Sequence, residues 1–274
     1  MCAMQGYRTD LAAEELPQNS GALSGVTSET IQQDGFSITR VCILNDTGAS
    51  SLCKPIGTYV TMDVESFFRR EEDSFLKAVT LLAQNIAQLL PLQPGDSVLV
   101  AGLGNAAITP DAVGPETARF TLATRHLCQE SGEDFSMFRA VSVCQTGVLG
   151  TTGIESSTLV KAMADAVHPQ AIVIIDALAA RAEEKLCRTV QLTDSGIVPG
   201  SGVGNDRAEL SGKTLGLPVL AIGVPTVVDA GNGLIITPRD IDKYVRDAGK
   251  LIAYALNVAL HPDLSISDVD MLIG

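Results

Sequence analysis

Hydrophobic and polar positions along this chain of 274 residues follow two periods, one typical of strands and one typical of helices. Short runs rich in β-branched residues predict strands at residues 36–44, 58–64, 97–104, 138–146, 171–176, 189–194 and 218–224. Apolar residues at helical spacing predict helices over 71–90, 115–129, 154–167 and 239–260, with a short helix over 177–186. Residues 1–35 are polar and rich in turn-forming residues, so we expect them to wrap the surface.

The alternation of predicted strands and helices favours an α/β fold. We expect a mostly parallel or mixed central sheet with helices on both faces. Hydrophobic residues make up 46% of the chain, aromatic residues only 4%, and tryptophan is absent. A core built from Val, Ile, Leu and Ala suits such a fold better than an aromatic-rich β-sandwich. No repeat or low-complexity linker divides the chain into two domains.

The net charge and the cysteines limit which binding partners and which cellular compartment we expect. The formal net charge of −13 repels phosphate backbones, so we expect no direct binding to nucleic acid. No apolar run approaches the length of a membrane span, and the N-terminus lacks the apolar region of a secretory signal. The six cysteines lack metal-ligand spacing, and we expect them to be free thiols of a cytoplasmic protein.

Three aspartates lie at or just beyond the carboxyl ends of predicted strands, and they are candidates for carboxylate chemistry: Asp111, Asp176 and Asp194. In open α/β sheets, ligand sites gather at the carboxyl ends of strands. Two carboxyl groups placed close together share a proton, because like charges hold one pKa up. One then acts as a base toward water while the other polarises a carbonyl group. The competing interpretation is that each aspartate only caps a helix or forms a turn, as the Thr-Asp-Ser-Gly sequence around Asp194 suggests.

The glycine-rich segment 102–105 supports an alternative function. Gly102 and Gly104 follow a predicted strand and fit the loose fingerprint of a dinucleotide-binding loop, which would make the chain a non-catalytic nucleotide-binding module. Asp111 argues against this, since an acid in the following helix would repel a phosphate. The three histidines lie far apart and lack zinc-ligand spacing, so we expect neither a metal nor another cofactor. Glu155 is interpreted as a helix cap or as a residue that supports the site.

Longer motifs resemble the germination protease family, the endopeptidases of endospore-forming bacteria that degrade small acid-soluble spore proteins. The resemblance spans nearly the whole chain. It rests on segments that match in order, at residues 8–14, 55–60, 102–105, 109–115, 124–127, 152–155, 175–181, 193–197, 199–205 and 221–230. Motifs of this combined length are far more specific than the glycine loop alone.

The resemblance implies an aspartic-type protease, unrelated to pepsin, with a fold similar to the hydrogenase-maturation endopeptidases. It places the two catalytic aspartates at Asp111 and Asp176, without a metal or cofactor. Residues that would support them are Asp194, Gly102, Gly104, Asn105 and Glu155. The resemblance further implies small acid-soluble spore proteins as substrates, a homotetramer, and a location in the cytoplasm of the forespore or spore core. A metal-dependent amidase would need a histidine in the site, for which His126 is the candidate.

The N-terminal segment resembles the substrates of that family, which are cut after an acid in a motif of the type Thr-Glu, an apolar residue, Ala, Ser, Glu. Residues 9–14 read Thr-Asp-Leu-Ala-Ala-Glu. We therefore predict that residues 1–10 are a propeptide, removed by self-cleavage between Asp10 and Leu11, and that residues 11–274 form a single α/β protease domain. The alternative is that this segment is only the start of a helix, capped by Thr9 or Asp10.

Overall fold

The structure is a computed structural model that describes residues 8–17, 23–130, 135, 137–230 and 234–273. Nine strands are found within these residues, and they form one sheet: β1 (Val26–Gln33), β2 (Phe36–Ile43), β3 (Gly57–Asp63), β4 (Val98–Leu103), β5 (Val141–Gly147), β6 (Ala171–Ala180), β7 (Thr189–Thr193), β8 (Val219–Asp229) and β9 (Ile235–Ile236).

Ten α-helices lie in the described parts of the chain: α1 (Asp46–Leu52), α2 (Glu65–Phe68), α3 (Ser74–Leu89), α4 (Val113–Phe120), α5 (Arg125–Glu130), α6 (Leu149–Thr152), α7 (Ser156–Val167), α8 (Gly212–Leu215), α9 (Ile241–Leu260) and α10 (Ile266–Ile273). Short 3-10 turns complete the set of helical elements, at Ala12–Glu15, Thr109–Asp111, Glu183–Lys185 and Ser201–Val203. None of the helices described is long and apolar enough to cross a membrane.

The sheet is mixed, which confirms the predicted fold class. Its strand order is β1-β2-β3-β7-β8-β6-β4-β5, and β9 pairs with β8. Strands β8, β6, β4 and β5 run parallel to one another, while the pairs that join β1, β2, β3, β7 and β8 are antiparallel. The parallel half contains the crossover helices, and it is therefore the half in which ligand sites are expected.

Helices cover both faces of the parallel strands, and β4 and β6 are accordingly buried at nearly every position. On one face, Val100, Val173 and Ile175 belong to a core that includes residues of α3 and α9. On the other face, Ala101 and Ile174 pack in a second core with Val160 of α7. Because both faces of β4 and β6 are covered by apolar side chains, any polar side chain on these strands has to find its partners at a strand end or at an unpaired edge.

Strand β6 corrects one expectation from the sequence. The alanine-rich segment 177–186 was predicted to be a helix, but β6 continues through Ala180 and only a 3-10 turn follows. The long strand β8 pairs with β6 up to Ala180, and this pairing overrides the weak strand preference of alanine. As a result, Asp176 lies inside a strand rather than at its end.

Two smaller expectations also needed correction. The helix predicted over 115–129 is two helices, α4 and α5, since the chain is not helical at 121–124. Residues 109–111, just before α4, form a 3-10 turn. Part of the segment expected to wrap the surface forms the edge strand β1, which pairs with β2 along its whole length.

The expectation of free thiols holds for four cysteines and is wrong for one. Cys42, Cys128, Cys144 and Cys187 are free, whereas Cys53 is disulfide-bonded. Cys2 lies outside the described residues, as do residues 1–7 of the predicted propeptide.

Candidate active site

Asp111 and Asp176 line one cavity of about 700 Å³ at the end of the parallel strands. The cavity is also lined by Gly104 from the loop after β4, by Glu155 at the start of α7, and by Asp10 from the N-terminal segment. Residues that are distant in the sequence therefore meet in the region that the strand-end argument indicated.

The position of Asp111 is set by the turn that carries it. The Asp111 carboxylate oxygen Oδ2 accepts a hydrogen bond of 2.9 Å from the backbone N–H of Asn105, and the same N–H also reaches the Asp111 carbonyl oxygen at 3.1 Å. Gly104 makes this approach feasible. Its φ of +107° is unfavourable for other residues, and a Cβ atom there would lie 1.9 Å from the Asp111 carbonyl oxygen.

Two further glycines bring α4 against the strands. A Cβ atom at Gly102 would lie 2.3 Å from the carbonyl oxygen of Gly114. A Cβ atom at Gly114 would lie 2.1 Å from the Leu103 carbonyl oxygen and 2.7 Å from that of Ile175. Gly102 and Gly114 therefore serve the close contact between the helix and both parallel strands. This contact holds the residues just before α4 beside β6.

Asp176 lies where β6 loses one neighbour. The ladder between β4 and β6 ends at the pair Gly102–Ile175, so the edge of β6 that faces β4 is unpaired from Asp176 onward. The Asp176 side chain is 5% exposed, and its Oδ1 accepts a hydrogen bond of 2.9 Å from the backbone N–H of Ala177. A carboxyl group is thus buried at the bottom of the cavity.

Burial changes the protonation of both carboxyl groups. It raises the pKa of Asp176 well above the usual value, and the negative charge of Asp111 raises it further, with a smaller contribution from Asp10. Burial also raises the pKa of Asp111, while the hydrogen bond from the Asn105 N–H acts in the opposite direction. The pair therefore holds its last proton on Asp176, and Asp111 ionises first.

Thr226 fixes the turn of Asp111 to the sheet, and it was not among the site residues predicted from the sequence. The pairing of β6 with β8 shifts by one residue at this point, because Leu178 pairs with Pro225 and Ala179 with Val227. Thr226 is the extra residue of this bulge, and its hydroxyl donates a 2.6 Å hydrogen bond to the Pro110 carbonyl oxygen. Its only sequence signal was its place within the motif at residues 221–230.

The other predicted site residues are placed as follows. Asn105 contributes its backbone N–H to Asp111, and its side chain accepts a bond from the Ala107 N–H. Glu155 forms an ion pair of 3.7 Å with Arg207 at the cavity, where both side chains are partly exposed. Asp194 does not reach this cavity. It is exposed, and its Oδ1 accepts a 2.7 Å bond from the Thr58 N–H, which ties the end of β7 to β3.

The alternative functions find less support in this geometry. A phosphate bound by the glycine loop would compete with the Asp111 carboxylate, which already takes the Asn105 N–H and carries a negative charge. His126 lies exposed on α5 and does not line the cavity. In the described part of the chain, no group of three or more His, Cys, Asp or Glu side chains is arranged to hold a metal ion.

The N-terminal segment is bound along the edge of β6. The backbone N–H of Asp10 donates to the Ala179 carbonyl oxygen at 2.9 Å, and the Ala179 N–H donates to Oδ2 of Asp10 at 2.8 Å. Leu11 is fully buried and packs against Leu178 and Leu186. The bond between Asp10 and Leu11 is therefore part of a packed segment.

Comparison with known proteins identifies relatives along the whole chain. The model of the germination protease family matches residues 7–232. The germination protease of Caldanaerobacter subterraneus subsp. tengcongensis is 34% identical, with all of both chains covered. That of Clostridium perfringens is 32% identical over 99% of this chain and 100% of its own. The germination protease of Bacillus cytotoxicus is 40% identical over 89% of this chain and 68% of its own.

Among solved structures, the chain is similar to the [NiFe] hydrogenase maturation protease HycI from Thermococcus kodakarensis KOD1. The TM-score is 0.36 at 18% identity, over 59% of this chain and 92% of the other. This similarity is too low to support a conclusion about mechanism, whereas the family match and the full-length relatives agree with each other. The chain belongs to the germination protease family.

Proposed function

We propose that this protein is an endopeptidase that hydrolyses small acid-soluble spore proteins during germination, and that Asp111 and Asp176 activate the attacking water. The observation that carries the proposal is the pair of carboxyl groups in one cavity, with the pKa of the more buried one raised by its burial and also by the charge of the other. Family membership supplies the substrate class.

The two carboxyl groups differ in a way that suggests separate roles. Asp111 ionises first, because the Asn105 N–H stabilises its negative charge, and it acts as the base that takes a proton from water. Asp176 keeps the shared proton in its buried position and donates a hydrogen bond to the carbonyl oxygen of the peptide bond. The mechanism therefore uses a pair of carboxyl groups that shares one proton, with Asp111 ionised and Asp176 protonated.

The chain is made as a zymogen in this proposal, with residues 1–10 removed by cleavage between Asp10 and Leu11. The buried position of Leu11 means that the Leu11 side chain has to leave its packed site before the bond is cut. Mass spectrometry of the full chain after mild acid incubation checks the cleavage position. A chain that still begins at Met1 while it cleaves substrate would contradict the proposal.

The homotetramer and the location in the spore core are further parts of the proposal, and both rest on the family resemblance. Light scattering of the purified chain measures its mass against the 28.7 kDa of one subunit. A mass close to that of one subunit, at the concentrations used for activity, would rule out the tetramer.

The catalytic assignment is tested by three substitutions in the full chain: Asp111→Asn, Asp176→Asn and Asp194→Asn. We expect each of the first two to lower the cleavage of a spore protein by several orders of magnitude. Asp194→Asn is the matched control, because it changes an exposed carboxylate outside the cavity and the amide oxygen keeps the bond to Thr58. Activity retained in both Asp111→Asn and Asp176→Asn would refute the assignment.

A further inference from the structure

The unpaired edge of β6 presents a row of backbone donors that are occupied by carboxylates. Beyond Ile175, alternate residues turn their N–H groups away from β8. The Ala177 N–H donates to Asp176, the Ala179 N–H to Asp10, and the Arg181 N–H to Glu14, over distances of 2.9, 2.8 and 2.7 Å. The first of these acids belongs to the proposed catalytic pair, while the other two belong to the N-terminal segment.

We infer that the Ala179 N–H, the Ser201 hydroxyl and the space left at Gly202 form the subsite for the acidic side chain that precedes the cleaved bond. The inference rests on the proposed protease function and adds the residues that select the substrate. In this structure Asp10 of the chain itself occupies the subsite.

The contacts of the Asp10 carboxylate explain why an acid fits this position. Its Oδ2 accepts the bond from Ala179, and its Oδ1 accepts a 2.6 Å bond from the Ser201 hydroxyl. A Cβ atom at Gly202 would lie 2.2 Å from Oδ2 and 2.6 Å from the Ala179 Cβ. Gly202 does not have a positive φ, so the glycine provides space for the carboxylate rather than an unusual backbone conformation.

The backbone of the segment is held by contacts that do not depend on its sequence. The Asp10 carbonyl oxygen accepts a 3.0 Å bond from Nε2 of Gln191, and the Thr9 carbonyl oxygen accepts a 2.7 Å bond from Nζ of Lys54. Together with the backbone pairing to Ala179, these contacts resemble the addition of a peptide strand to a sheet edge. Main-chain bonds supply affinity in that mode, and the acidic contact supplies selectivity.

The position of Asp10 places this subsite beside the catalytic pair. Asp10 lines the cavity of Asp111 and Asp176, and its charge contributes to the raised pKa of Asp176. Asp10 also lines a second cavity of about 280 Å³, together with Lys54 and Gln191. Departure of the segment up to Asp10 would free the donors that now bind Thr9 and Asp10, and it would join the two cavities. An acid of an incoming substrate would then take the place of Asp10.

The test compares two peptides, one a copy of residues 8–16 and the other the same peptide with Asn in place of its Asp. Once residues 1–10 have been removed by self-cleavage, we expect the protein to cleave the acidic peptide with about tenfold higher kcat/KM, since hydrogen bonds to a charged acceptor are stronger than those to an amide. Ser201→Ala should lower this preference severalfold, mainly through KM, and Ser201→Thr should restore it. Gly202→Ala should remove the preference, because its Cβ occupies the carboxylate position.

The ratio of kcat/KM between the two peptides distinguishes a loss of acid selectivity from structural damage. Structural damage lowers the cleavage of both peptides equally. Ser51→Ala, on the exposed face of α1, and Gly212→Ala, where the nearest atom to the added Cβ is 3.3 Å away, are the matched controls. An unchanged preference in both Ser201→Ala and Gly202→Ala would overturn the inference.

A binding experiment keeps this inference separate from the proposed chemistry. In a chain that begins at Leu11, as the proposed processed enzyme does, and that carries Asp176→Asn, the subsite no longer holds Asp10 and the pair is inactive. Fluorescence anisotropy should show tighter binding of the labelled acidic peptide than of its Asn counterpart, and Ser201→Ala should remove the difference. Equal binding of the two peptides before that substitution would refute the subsite and leave the roles of Asp111 and Asp176 untouched.

Discussion

Thr226→Val is the substitution that most directly tests how the sheet positions Asp111. Valine has nearly the same shape as threonine, and the site is almost fully buried, with 1% of the side chain exposed. The change removes one interaction, the 2.6 Å bond from the hydroxyl to the Pro110 carbonyl oxygen. The turn 109–111 then loses a direct link to β8.

The expected cost in stability follows from this single bond. A hydrogen bond contributes about 0.5–1.5 kcal/mol net, and a buried carbonyl left without a donor costs about 1–3 kcal/mol. Pro110 is only half-buried, so water can replace part of the lost donor. We therefore expect the free energy of unfolding to fall by about 1–2 kcal/mol, measured by chemical denaturation.

We expect a larger effect on the rate than on stability, because a misplacement of about 1 Å in a catalytic group lowers the rate by up to about 100-fold. We expect kcat to fall about tenfold or more with little change in KM. Thr226→Ser keeps the hydroxyl and should keep most of the activity. Thr80→Val is the matched control, because Thr80 makes a similar bond to a carbonyl oxygen on the exposed face of α3. A full kcat in Thr226→Val, despite the loss of stability, would refute the positioning role.

Three further predictions concern the pair and its loop. Gly104→Ala should lower the free energy of unfolding by about 2–6 kcal/mol, because alanine strains the backbone there and overpacks against the Asp111 carbonyl oxygen. The control variant Gly212→Ala should change the melting temperature little. Asp176→Asn should stabilise the fold above about pH 4, the unfolded pKa. The raised folded pKa of Asp176 means that the wild type loses stability as the pH rises through it, so unfolding curves of the two proteins should converge at low pH. The kcat/KM of the wild type should fall as the pH rises through the pKa of Asp176, because the shared proton is lost; a rate that stays constant to alkaline pH would contradict the shared proton.

The sequence was sufficient to predict the α/β class and most strands of the sheet, because buried strands leave continuous apolar runs. It did not reveal β1, whose residues are almost all exposed and therefore show no alternation. It also placed a helix where β6 continues, since alanine favours helices and only the pairing with β8 makes residues 177–180 a strand. Local preference was overridden at both places by partners that are distant along the chain.

The candidate site was predicted in part for the same reason. Asp111 and Asp176 stood out as acids beside apolar runs and as members of long motifs. Ser201 and Gly202 entered only as members of the motif at residues 199–205. Lys54, Gln191 and Thr226 were not selected, since a polar residue acquires a role only when its neighbours in the fold are known. Each of the three acts on an atom at least 45 residues away in the sequence.

The difference in length between β4 and β6 explains why the proposed chemistry and the proposed recognition lie side by side. The ladder between them ends at Ile175, and β6 runs on to Ala180 with no β4 residue paired to that edge. The end of β4 leads into the loop and turn that carry Asp111, while the first residue of β6 beyond the ladder is Asp176. The next N–H groups along the same side, those of Ala179 and Arg181, donate to the Asp10 and Glu14 carboxylates. The extension of β6 beyond β4 thus brings the two carboxyl groups together. Directly after them it leaves an edge on which an extended acidic peptide can pair.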